Sequence, residues 1–165
     1  MKFKGMRKAD KDAPQRWQKA IEEMTTGYSE HPGLENQWQA PPGADFVISS
    51  KIHFSSLCRH HLFPFFGVVS IGYRPQKYIV GLSKLARTVE VYSKRFQTQE
   101  DLTSEISNRI NLELSPAGIG VAIEATHTCQ CCRGIKARGS TTITTGFLGE
   151  LKENEKQTII QSLKI

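Results

Sequence analysis

Apolar and polar residues change their periodicity along the chain, and each change marks a predicted element. Apolar residues from Trp17 to Met24 recur at helical spacing, which predicts an N-terminal helix capped by Asp12 and ending near Gly27. Residues 29–45 are interrupted by Pro and Gly and predict an irregular connection. The first long stretch of the chain is therefore expected to hold one helix and a loop.

From residue 46 the pattern changes to alternation, which is typical of a half-buried strand. We expect one face of this strand to carry Phe46, Ile48, Ile52 and Phe54. Further strands are expected over residues 65–73, 78–81, 119–126 and 141–147. Helices are expected after Ser83, which can cap the first of them, and over residues 99–114 and 154–163.

This order of elements predicts an α+β domain, in which an antiparallel four-stranded sheet carries helices on one face and follows an N-terminal helix. We expect residues 1–11 to be a flexible basic segment and residues 12–165 to be a single domain. The edges of such a sheet are open, and association with further copies of the chain could pair them.

Composition narrows the possible partners. The formal charge is +6, from 22 Lys and Arg against 16 Asp and Glu, which favours anionic ligands. No nucleic-acid motif and no P-loop are present, so we expect side-chain cations to bind phosphate and no nucleic acid to bind. The sequence has no apolar run of membrane-spanning length and no signal peptide, which predicts a cytoplasmic protein without a membrane partner.

The cysteines indicate a metal site. Cys58 and His61 are separated by two residues, and Cys129 could join them in the folded chain. A Cys-His-Cys set with an open fourth position is typical of catalytic zinc. Cys132 offers an alternative, because Cys58, His61, Cys129 and Cys132 could form a closed structural zinc site. Spacing alone leaves both possibilities open.

Other polar residues could act on an anionic substrate. His60 and His127 lie beside the candidate ligands and could transfer protons. Ser83, Lys84 and Arg87 fall at the start of a predicted helix, where free amides and the helix dipole favour phosphate. A capped helix with solvated cations would give the same pattern.

Four ordered motifs resemble GTP cyclohydrolase I: residues 56–61 (SLCRHH), 81–87 (GLSKLAR), 97–103 (QTQEDLT) and 124–129 (EATHTC). The resemblance extends from about residue 12 to residue 149. It implies the tunnelling fold, assembly as a decamer of two pentamers, and conversion of GTP and water to 7,8-dihydroneopterin triphosphate and formate. It also favours the open zinc site, with Cys58, His61 and Cys129 as ligands and a water that would attack carbon 8 of guanine.

The resemblance also implies roles for single residues. It places His60 as the proton donor to the purine and His127 as a second acid or base that opens the ribose. Glu100 would anchor the guanine edge, with Gln99 beside it. The triphosphate would be bound by Ser83, which we also count as catalytic, together with Lys84, Arg87 and Arg133, and by Arg16 from an adjoining subunit.

One position departs from the family, which usually carries Glu where this chain has Arg59. A cation beside zinc ligands would weaken zinc binding, unless Arg59 points outward to another partner. Two alternative functions remain: a catalytically idle zinc-binding module, or the nitrile reductase of queuosine synthesis. The reductase uses a thioimide-forming Cys without zinc and lacks the His60-His61 pair.

Overall fold

The computed structural model describes residue 7 and residues 10–164. The helices are α1 (Ala13–Glu23), α2 (Leu82–Ser93), α3 (Gln99–Leu114), α4 (Thr128–Cys131) and α5 (Glu153–Gln161), with a 3₁₀ turn at Thr26–Tyr28. The strands are β1 (Gln37–Gln39), β2 (Val47–Cys58), β3 (Pro64–Arg74), β4 (Tyr78–Val80), β5 (Phe96–Gln97), β6 (Gly118–His127) and β7 (Thr142–Gly149). The flexible segment predicted over residues 1–11 lies largely outside the described residues. None of the described helices is long and apolar enough to cross a membrane.

The main sheet has the strand order β5-β2-β3-β6-β7. The four long strands pair antiparallel, as the sequence predicts. The short β5 adds a fifth strand, which runs parallel to the end of β2 and places Gln97 opposite Cys58. Two residues are too few to show alternation, so this strand is defined only by its partner.

A second, two-stranded sheet forms between β1 and β4, with Gln37 opposite Val80. The prediction of an irregular connection over residues 29–45 is therefore wrong for β1. This strand has only three residues, so it is stabilised by its pairing with β4 and not by a pattern of its own.

Helices lie on both faces of the main sheet. On one face, α2 and α3 form the large core with the strands, through residues such as Leu85, Ile106 and Val121. On the other face, Ile159 of α5 packs against Val68 and Ala122. Helices were expected on one face only; α5 occupies the second because Val68 and Ala122 give that face an apolar surface of its own.

A β-bulge changes which side chains of β2 face the core. The pairing with β3 shifts by one residue between Ser49 and Ile52. The extra residue reverses the alternation, so Val47 packs with Ile52 on the large core while Phe46 packs on the α5 side. The expected grouping of Phe46 with Ile52 is therefore wrong.

The helix starts bring the site residues into place. In α3 the Oγ1 of Thr98 accepts a hydrogen bond from the Asp101 amide at 3.0 Å, so the helix begins at Gln99. In α2 the capping residue is Gly81, and Ser83 lies inside the first turn. The prediction of a Ser83 cap is wrong by two residues, which leaves its hydroxyl exposed and available to a ligand.

Candidate active site and metal centre

Two strand ends bring two thiols and an imidazole together at one end of the sheet. β2 and β6 run in the same direction on either side of β3, so their carboxyl ends lie close together. Cys58 ends β2, His127 ends β6, and Cys129 follows in α4. One ligand atom from each of these three residues lies within 4.8 Å of the others. The fold thus joins donors that are about 70 residues apart in the chain.

The donor types of this group fit zinc. Zinc binds thiolate sulfur at about 2.3 Å and imidazole nitrogen at about 2.0–2.1 Å, so donors at this spacing can close on one ion. Burial raises the pKa of the Cys129 thiol, and the neighbouring Cys58 raises that pKa further. A bound cation would reverse this effect by favouring the thiolate. The residues present can therefore hold a metal ion.

His60 and His61 lie on the exposed turn that follows Cys58. Nδ1 of His60 is 4.0 Å from Sγ of Cys58, and the centroids of the two imidazole rings are 6.2 Å apart. Among the residues that the structure describes, the compact ligand group contains His127 and does not contain His61. The assignment of His61 as a zinc ligand stays a prediction.

His127 is held on its face and at its edge. Its ring stacks on Phe65 with 4.6 Å between centroids and an interplanar angle of 4°. Its Nε2 lies 2.9 Å from Oε1 of Gln99. Burial lowers the pKa of His127, and the negative charge of Glu100 opposes that shift. The imidazole is therefore kept neutral at a lower pH than usual.

The amide of Gln99 sets the tautomer of His127. Gln99 is buried, and its Nε2 donates hydrogen bonds to the carbonyl oxygens of Ile123 at 3.0 Å and Thr142 at 2.9 Å. Those carbonyls can only accept, so the orientation of the amide is fixed and its Oε1 must accept from Nε2 of His127. The neutral imidazole consequently carries its proton on Nε2 and leaves Nδ1 with a free lone pair.

Glu100 lies one residue further along α3 and is exposed. It lines a groove of about 350 Å³ between α3 and β7, together with Thr103 and Thr144. The Glu100 carboxylate is thus available to an external ligand near Cys58, His127 and Cys129, the three residues that we call the metal group.

Sequence comparison identifies the family of this chain. The profile of GTP cyclohydrolase I matches residues 4–163. The chain belongs to the GTP cyclohydrolase I family. The GTP cyclohydrolase 1 of Brucella anthropi is 41% identical over 151 residues, which cover 90% of this chain and 71% of that protein. Those of Brucella suis and Brucella canis are 41% and 40% identical over the same shares. The predicted membership in this enzyme family is confirmed.

The fold also has a solved counterpart. The crystal structure of the archaeosine synthase QueF-Like in the apo form superposes with a TM-score of 0.53, over 69% of this chain and 100% of that chain. The sequence identity is 16%, so the likeness concerns the fold alone. The α+β tunnelling fold predicted from the motifs is confirmed.

In this member of the GTP cyclohydrolase I family, two of the predicted phosphate residues lie in a cavity that the metal-binding residues do not line, whereas Arg133 is close enough for its charge to act on the Cys129 thiol. Ser83 and Arg87 line a cavity of about 560 Å³ that also borders Ile52 in the middle of β2. Neither Cys58 nor Glu100 lines that cavity. One chain therefore presents two separate parts of the predicted site.

The remaining predicted cations are distributed along the chain. Lys84 is half-buried in the first turn of α2, Arg16 is exposed on α1, and Arg133 is exposed just after α4. Their assignment to the triphosphate remains a prediction.

Two residues that contact the site were not identified from the sequence. Phe65, which stacks on His127, has the pattern of an ordinary core residue. Asp101, which pairs with Arg59 at 2.8 Å, has the pattern of a helix-start acid. Both contacts depend on strand register and on the position of α3, which the sequence pattern does not contain.

Proposed function

We propose that this protein converts GTP and water to 7,8-dihydroneopterin triphosphate and formate, as a zinc-dependent GTP cyclohydrolase I. The observation that carries the proposal is the Cys58–His127–Cys129 group at the sheet end, beside the first turn of α3, in a chain of this family. A metal centre, a positioned imidazole and a carboxylate are the groups that hydrolytic opening of a purine ring requires.

Zinc would be held by Cys58, His61 and Cys129, the ligand set that the resemblance implies. When bound, zinc supplies a Lewis acid that makes water reactive near pH 7. His61 would have to rotate from its exposed position to join the two thiols. The resemblance assigns His127 to a separate task, and its hydrogen bond to Gln99 fixes the orientation of the ring.

That task is proton transfer. His127 is neutral, stacked on Phe65 and fixed with its Nδ1 lone pair free, so it suits a base that opens the ribose. His60 lies on the exposed turn next to Cys58 and can approach the purine from the solvent side as a proton donor. The two histidines would thus act at different atoms of the substrate.

Recognition of the base would fall to Glu100, whose carboxylate can accept two parallel N–H donors from the guanine edge. Its neighbour Gln99 is buried, and both ends of its amide are already hydrogen-bonded. We therefore assign Gln99 to orienting His127, with an indirect effect on the bound base.

The triphosphate would be bound by Ser83, Lys84, Arg87, Arg133 and Arg16. The Ser83–Arg87 cavity is separate from the metal group within one chain, which favours a site completed by a second copy. We propose a homo-oligomer, built as a decamer of two pentamers, with no nucleic-acid or membrane partner. Four unpaired thiols suit a reducing compartment such as the cytoplasm, where the product would feed pterin, folate or deazapurine synthesis.

The decisive experiment incubates the purified protein with GTP and zinc, oxidises the products and measures pterin fluorescence and formate. We expect both products from the wild type and neither from Cys129→Ala. Zinc binding without either product would instead identify an idle zinc-binding module.

A further inference from the structure

Arg59 ties the turn that carries Cys58, His60 and His61 to the start of α3. Its Nη1 lies 2.8 Å from Oδ2 of Asp101. Its backbone amide donates to the carbonyl oxygen of Gln97 at 2.9 Å. One residue therefore contacts the β5–α3 junction twice, once through the backbone and once through the side chain.

Asp101 is held in place by its own helix. It lies in the first turn of α3, where its backbone amide donates a hydrogen bond to Oγ1 of the capping residue Thr98. The two preceding residues are Gln99, which orients His127, and Glu100, which faces the groove. Asp101 thus keeps its place without Arg59. The exposed turn at residues 59–62 is held by backbone hydrogen bonds to Cys58 and Gln97, and the Arg59–Asp101 pair adds a side-chain contact to α3.

We propose that Arg59 is a positioning residue that, through Asp101, holds the histidine-bearing turn at a set distance from Gln99 and Glu100. The inference rests on the proposed function, because it concerns how His60 and Glu100 meet one substrate. Effective catalysis depends on such alignment, and an error of about 1 Å can cost roughly 100-fold in rate.

The same contact explains how a cation is accommodated next to a metal-binding thiol. The guanidinium charge is directed at the Asp101 carboxylate, which offsets it. Arg59→Glu alone would place two carboxylates at this contact, beside Glu100. We therefore expect that variant to lose alignment of the turn and not to gain zinc affinity.

Arg59 and Asp101 are 53% and 45% exposed at their side chains, and many exposed ion pairs have no measurable effect. The experiment must therefore detect coupling. It compares Arg59→Met, Asp101→Asn, the double variant and the charge exchange Arg59→Glu with Asp101→Arg. Hydrogen–deuterium exchange at residues 59–62 is measured on each, with steady-state kcat and KM for GTP.

We expect each single variant to speed exchange at residues 59–62 and to lower kcat about five-fold with KM within two-fold, as for loss of one exposed pair. The double variant should be no worse than the singles, and the charge exchange should recover most of kcat. The exchange readout needs neither zinc nor turnover, so it decides the inference even if the wild type forms no pterin and the proposed function fails.

Lys156→Met is the matched control, because Lys156 forms an exposed pair with Glu153 on α5, across the sheet. It should leave exchange at residues 59–62 and kcat unchanged. The inference is overturned if Asp101→Asn leaves exchange at the turn unchanged, if the single effects add in the double variant, or if the control loses as much.

Discussion

Nε2 of His127 lies 2.9 Å from Oε1 of Gln99, and this contact joins the end of β6 to the first turn of α3. The other end of the same amide donates to two backbone carbonyls, so the imidazole is oriented by a group that is itself locked. The proton-transfer residue of the proposed reaction is thus placed by the packing of α3 on the sheet.

Removing that amide should cost both activity and stability. Gln99→Met keeps the side-chain length but leaves the Ile123 and Thr142 carbonyls and the His127 N–H without their partner. We expect a loss of about 1–3 kcal/mol in the free energy of unfolding, measured by denaturant titration. We also expect kcat to fall by roughly 100-fold, the lower end of what a positioned proton-transfer group contributes.

Thr144→Val is the matched control for that variant. It removes a hydroxyl 3.2 Å from Nε2 of Gln99 but leaves the contact with His127. Its effect on kcat should be much smaller. An active Gln99→Met enzyme would show that the orientation of His127 does not depend on this amide.

Substitution of the two histidines should separate metal binding from proton transfer. We expect His61→Ala to weaken zinc binding, because it removes a proposed ligand, and His127→Ala to retain zinc while losing turnover. Metal analysis after dialysis and pterin formation measure the two effects. The reverse result, zinc lost only in His127→Ala, would assign the compact Cys58–His127–Cys129 group as the ligand set.

Cys129 and Cys132 should behave differently when substituted. Cys129→Ala should abolish both zinc binding and turnover, because Cys129 belongs to the metal group. Cys132→Ala should retain both, since the Cys132 thiol is exposed and donates to the carbonyl oxygen of Thr128. Loss of zinc in Cys132→Ala, measured by metal analysis, would establish the closed structural site instead.

Zinc affinity should rise with pH. The pKa of the Cys129 thiol is raised by burial and by Cys58, so at neutral pH the thiol is protonated and zinc must displace the proton. As pH rises toward that pKa, the competition weakens and affinity should increase by roughly ten-fold per pH unit for each proton released.

Chelator competition at pH 6.5, 7.5 and 8.5 measures this slope, and calorimetry in buffers of different ionisation enthalpy counts the protons. Cys132→Ala should give the same slope as the wild type. A zinc affinity that is independent of pH over this range would contradict a protonated Cys129 in the metal-free site.

Two inactive variants should complement each other if the site is shared. Cys129→Ala damages the metal part, and Arg87→Ala damages the separate cavity on α2. After co-refolding or co-expression, random assembly of mixed oligomers should leave about a quarter of the sites with both parts intact. No recovered pterin formation, or full wild-type activity in a verified monomer, would show that one chain suffices.

Long periodic segments were predictable from sequence because their pattern extends over many residues. The helix at residues 99–114 and the strands through residues 65–73 and 119–126 appear where the periodicity places them. The three-residue β1 and the bulge in β2 were not predicted, because both depend on pairing with a partner strand. The position of α5 on the second face of the sheet was not predicted for a similar reason, because its partners Val68 and Ala122 belong to other elements.

By itself, the sequence determined the family, the α+β class and the residue types of a zinc-dependent site, because ordered motifs and periodicity are local properties of the chain. Only the tertiary structure decided the contacts between these residues. It placed His127 beside the two thiols, hydrogen-bonded His127 to Gln99, and paired Arg59 with Asp101. Each of these contacts joins different elements, so it depends on strand register and on the position of α3, which a single sequence pattern does not contain.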